Sequence, residues 1–147
     1  MSSTRSVSIL IVEDDEGHAR LIEKNLRRGK ISNGITHVTD GQQALDFLYS
    51  EGTFAGCERP SPLLVLLDLN MPVLDGYQVL ERMKSDPRTK HIPVVVLTTT
   101  DDAREVARCY DLGCSVYITK PVDYGSFCEA IQQLGLFMSI VTVPNGE

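Results

Sequence analysis

A chain of 147 residues and 16.3 kDa holds one domain of ordinary size, and 42% hydrophobic with 23% charged residues excludes both disorder and a fibrous repeat. Fourteen basic against twenty acidic residues leave a net charge of -6, which argues against nucleic-acid binding, since a phosphate backbone needs a basic patch. One early arginine precedes a short apolar run, and no later run reaches membrane-spanning length, so the sequence reads as soluble and cytoplasmic with no membrane association.

In chain order, Val7–Val12 reads as a strand buried on both faces, followed by a helix over residues 16 to 28 with Leu21, Ile22 and Leu26 at helical spacing. Ile35–Thr39 is a weaker strand, and Gly41–Ser50 a helix with Ala44, Leu45 and Leu48 inward. Residues 51 to 62, EGTFAGCERPSP, form a loop by their Gly, Pro and Ser content. Leu63–Leu67 is a fully apolar strand stopping at Asp68, and Asp75–Asp86 a helix with Val79, Leu80 and Met83 inward. Pro93–Leu97 is another buried strand, ending at Thr98. The next helix, Asp101–Leu112, closes on Gly113, a good left-handed cap. Val116–Thr119 is a short strand, Lys120-Pro121 a break, and residues 123 to 137 the last helix.

Five strands alternating with five helices, and strands that are continuously rather than alternately apolar, predict a parallel sheet covered on both faces. Right-handed crossovers leave few topologies. The flavodoxin-like (βα)5 sandwich in strand order 2-1-3-4-5 is the expected one. Residues 1 to 137 make up this domain, and 138 to 147 a C-terminal tail too short for an output domain.

Ligands of such sheets bind outside the carboxyl ends of the strands, where strand order reverses. Glu13-Asp14-Asp15 ends the first strand, Asp68 the third, Thr98 the fourth, and Lys120 follows the fifth. Clustered carboxylates repel unless a cation sits among them, and oxygen-only donors suit Mg2+ rather than zinc. A lysine and a hydroxyl opposite suit a phosphoryl group, toward which an ionised aspartate is a nucleophile. The residues therefore predict a magnesium-assisted aspartyl-phosphate site, with Asp15 left as the cap of the first helix. His18, His37 and His91 show no ligand spacing and read as surface or packing residues. The cysteines, Cys57, Cys109, Cys114 and Cys128, lack any CxxC and read as reduced thiols.

ILIVEDD (9 to 15), LLDLNMPVLDG (66 to 76), PVVVLTTT (93 to 100) and YITKP (117 to 121) stand in the order and spacing of a response-regulator receiver domain, which the chain resembles over about residues 7 to 137. The resemblance implies that Glu13 and Asp14 are the acidic metal pair and Asp68 the phosphoacceptor, with the main-chain carbonyl of Asn70 completing the Mg2+ shell. It also implies that Thr98 is the switch hydroxyl, Lys120 the phosphate-binding lysine, Tyr117 the aromatic that changes rotamer, and that Pro121 follows a cis bond. The ERPSP loop, LDLNMP, IPVVVLTT and a tail reaching TVP are similar to single-domain regulators paired with bacterial and cyanobacterial phytochromes. The implied partners are a sensor histidine kinase, a phytochrome in that finer resemblance, and a downstream protein. The implied role is phosphoacceptor rather than enzyme, with slow self-dephosphorylation. A phosphatase using an aspartyl-phosphate would want a general acid where Asn70 stands, which cannot supply a proton, and a degenerate interaction module would have no use for clustered carboxylates. Val106 and Tyr110 share one side of the fourth helix. With an apolar tail of Leu136, Phe137, Met138, Ile140, Val141 and Val143, they predict self-association through the fourth helix, fifth strand, last helix and tail, or a tail folded back on its own domain.

Overall fold

The structure, a computed structural model, describes residues 7–28, 34–69, 71, 73–98, 102–119, 125 and 129. Its strands are β1 (Ser8–Val12), β2 (Ile35–Val38), β3 (Leu63–Asp68), β4 (Val94–Thr98) and β5 (Val116–Thr119). They form one parallel sheet in the order β2-β1-β3-β4-β5, as the apolar runs predict. Continuous hydrophobicity is needed because successive side chains point to opposite faces and both are covered. On one face Leu10, Val12, Val65, Leu67, Val94 and Val96 meet Ala44, Leu45 and Leu48 of α2 (Gly41–Tyr49), and Val79, Leu80 and Met83 of α3 (Gly76–Lys84). On the other, Ile9, Ile11, Leu64, Leu66, Val95 and Leu97 meet Ala19, Ile22 and Leu26 of α1 (Glu16–Arg28). The fourth helix, α4, spans Ala103–Leu112 and buries Cys109. The last helix expected over 123 to 137 and the tail lie outside the described residues, except that residues 125 and 129 are helical.

Aspartates start the helices. The Asp15 side chain accepts the His18 amide at 3.0 Å, that of Asp40 the Gln43 amide at 2.8 Å, and that of Asp102 the Arg104 amide at 2.8 Å. Asp75 and Gln78 form a reciprocal capping box. Asp75 and Asp102 are thus caps with non-helical backbone, whereas the sequence reading placed both inside their helices. Leu21 also departs from expectation: it is 47% exposed, because Ala19, Ile22 and Leu26 already form the inward stripe and Leu21 sits a quarter-turn away. The 51–62 loop is partly ordered as a 3-10 turn over Gly52–Phe54, with Phe54 set edge-on to Phe47 at 5.2 Å.

α4 ends as expected at Gly113, whose φ of 108° no other residue adopts cheaply. The Cys114 amide then reaches back to the Cys109 carbonyl at 3.0 Å. Burial pushes both thiols up, Cys114 to about 12 against the ordinary 9.0, so both stay protonated. Cys57 is exposed. Among these three described cysteines, alkylation at about pH 8 is therefore expected to modify Cys57 first, and Cys109 and Cys114 only after denaturation, as peptide mass mapping would check. The Cys114 contribution to stability is present below 9.0 and is lost as pH rises toward about 12, because the unfolded chain ionises first.

Candidate functional site

The carboxyl ends of β1 and β3 lie side by side because Val12 pairs with Leu67 in parallel register. Glu13 follows directly and Asp68 is itself the last residue of β3, one beyond the strand end read from sequence. Glu13 and Asp68 are buried, at 1% and 5% exposure, while Asp14 faces solvent. One oxygen from each of Glu13, Asp14 and Asp68 can be chosen so that all lie within 4.8 Å of one another. The structure thus brings together the three carboxylates that the sequence singled out.

Several contacts fix this arrangement. The Glu13 amide donates to the Val38 carbonyl at 3.1 Å, and its Oε2 accepts the Asp15 amide at 3.2 Å. His18 Nδ1 stands 3.9 Å from the same Oε2. His37 Nε2 lies 2.7 Å from the Glu13 carbonyl, a contact the sequence reading missed by treating all the histidines as surface or packing residues. Its signal is positional: His37 is the penultimate residue of β2, whose end lies beside the end of β1.

Behind Asp68, the Gly76 amide donates to the Leu69 carbonyl at 2.9 Å, closing the β3–α3 loop. A Cβ on Gly76 would run into the Asp68 carbonyl and stand 2.7 Å from Leu69 Cα. Gly76→Ala is therefore expected to cost about 1–3 kcal/mol in urea denaturation and to displace Asp68. A variant as stable as the parent would contradict that packing. In the same loop Val73 is 75% exposed with φ of 69°, a left-handed conformation costly for a β-branched residue.

Thr98 ends β4, its backbone paired with Thr119, one position beyond the Asp68–Leu97 pair. Tyr117, half-buried on β5, packs against the face covered by α2 and α3. Lys120, Asn70 and Pro121, with the cis bond expected before Pro121, lie outside the described residues. A cis bond does occur at Ser61–Pro62. The donor set is chemically consistent: the three clustered groups are all carboxylates, hard oxygen donors of the kind that hold divalent cations retaining water.

Fold and site together define a doubly wound α/β protein with a cluster of carboxylates, of the donor type suited to a divalent cation, at its topological switch point. The chain belongs to the response regulator receiver domain family, whose profile matches residues 9–132. Response regulator Rcp1 of Synechocystis sp. is 36% identical over 137 residues, covering 92% of each chain. A solved structure of the Mn(2+)-bound form of response regulator Rcp1 aligns at 35% identity with a TM-score of 0.74, covering 96% of this chain and 99% of that one. The bacteriophytochrome response regulator RtBRR aligns at 41% identity with a TM-score of 0.82, over 90% of this chain and 80% of that one. The phosphorylated cyanobacterial phytochrome response regulator RcpA aligns at 35% identity with a TM-score of 0.75, over 95% and 98%. The protein is thus related to phytochrome response regulators, and no helix among the described residues is long and apolar enough to cross a membrane.

Proposed function

We propose that the protein is a phosphoacceptor of a two-component phosphorelay, taking a phosphoryl group from a sensor histidine kinase on Asp68. The observation that carries this reading is the Glu13, Asp14 and Asp68 cluster at the end of β1 and β3. An Asp68 carboxylate oxygen bonds to phosphorus as the P–N bond of the kinase phosphohistidine breaks, and the leaving ring keeps the electron pair. Glu13, Asp14, Asp68 and the Asn70 main-chain carbonyl would hold Mg2+, which when bound neutralises charge on the transferring oxygens. The Mn(2+)-bound Rcp1 supports a divalent ion, and the phosphorylated RcpA supports the modification. Lys120 and Thr98 take the phosphate oxygens in this reading. The Thr98 hydroxyl, drawn toward the phosphate, vacates space for Tyr117 and biases a surface read by a downstream protein.

The likeness to RtBRR and RcpA favours a phytochrome as the kinase, acting in the cytoplasm. Tyr110, 48% exposed on α4, supports a contact face running from α4 to β5 on which a second copy of the chain or the downstream target would dock. The protein is a signalling component rather than a turnover enzyme. Incubation with Mg2+ and phosphoramidate, read by intact-protein mass, tests the reading: a single added phosphoryl group is expected, and none in excess EDTA.

A further inference from the structure

We infer that His37 is a positioning residue for the metal-binding turn: its Nε2–H holds the Glu13 carbonyl and so aims the Glu13 carboxylate at Asp68. The inference rests on the proposed metal-dependent phosphoacceptor function and extends it to a residue outside the carboxylate cluster. In the parallel ladder, Ile9 to Val12 pair with Ile35 to Val38, and the last rung is the Glu13 amide donating to the Val38 carbonyl at 3.1 Å. Beyond it the β2 segment turns away, since Asp40 caps α2 and the Thr39 amide donates to Gln43 Oε1 at 2.9 Å. The Glu13 carbonyl lies just beyond that rung, at a residue only 1% exposed. His37 Nε2 meets it at 2.7 Å, across 24 residues of sequence.

A carbonyl only accepts, so Nε2 carries the proton. The neutral Nε2–H tautomer and the imidazolium both satisfy this, and the contact needs no titration. Glu13 is then held at its amide by Val38, at its carbonyl by His37 and at its carboxylate by the Asp15 amide. A glutamate has one more rotatable bond than an aspartate, so aiming its oxygen into a cluster closed within 4.8 Å depends more on a fixed backbone. Groups that orient metal ligands from behind commonly change affinity by 10–100-fold when removed.

The test uses the full chain, with Mn2+ as probe and the loss of the free aqua-ion signal in electron paramagnetic resonance as readout. His37→Phe keeps a ring of similar shape without the donor, and His37→Gln restores an N–H near the position of Nε2. Far-UV circular dichroism and thermal melting in EDTA establish that each variant is folded before titration. The expected result is about a tenfold loss of Mn2+ affinity in His37→Phe, recovered in large part by His37→Gln. Parent-like affinity in folded His37→Phe would overturn the inference and leave the phosphoacceptor reading standing. So would a His37→Gln loss equal to that of His37→Phe. A parent chain that binds no Mn2+ would overturn the metal site and this inference with it.

Discussion

Asp68→Asn is expected to abolish phosphoryl uptake from phosphoramidate while leaving the sheet intact. Asp68 ends β3 with its side chain buried, and asparagine fills the same space. What the change removes is the anionic oxygen that attacks phosphorus, for which a neutral amide is no substitute. Stability should move by less than about 1 kcal/mol, or rise, because one of the three mutually repelling carboxylates is gone. Intact-protein mass and urea denaturation read the two effects separately. Uptake at the parental rate by the asparagine chain would place the acceptor elsewhere.

Asp14→Asn is expected to weaken divalent-ion binding by about tenfold or more and to slow phosphoryl transfer in parallel. Asp14 is the solvent-facing member of the cluster, so the substitution alters the charge count with little effect on packing. Saturating Mg2+ should restore much of the lost rate if the carboxylate acts through the metal. A variant with reduced metal affinity and full transfer in excess EDTA would separate binding from chemistry and defeat the metal-dependent mechanism.

Much of this architecture is legible in the sequence because it depends on local composition. Runs such as Leu63 to Leu67 are too short for a buried helix and read as doubly covered strands, and Gly113 marks a helix end that needs a left-handed residue. The acidic site is legible for the same reason: Glu13, Asp14 and Asp68 each stand directly at a strand end, and topology does the rest. What escapes is set by geometry at element ends. Acidic residues favour both the cap and the first turn of a helix, so composition alone could not tell that Asp75 and Asp102 stand outside theirs. Leu21 counts as apolar at helical spacing, but the burying stripe runs through Ala19, Ile22 and Leu26. The His37 contact spans 24 residues and exists only because β2 and β1 end together, which no local pattern encodes.

The central claim is that Asp68 is the residue modified, and chemical trapping addresses it most directly. An acyl phosphate is reduced by borohydride to the corresponding alcohol, which converts a phosphorylated aspartate to homoserine. The chain treated with Mg2+ and phosphoramidate, reduced at once and mapped by peptide mass spectrometry, is predicted to carry homoserine at position 68 and at no other carboxylate. Reduction at Asp14 or Asp15 instead, or stable phosphate on a histidine or hydroxyl side chain with position 68 unchanged, would contradict it.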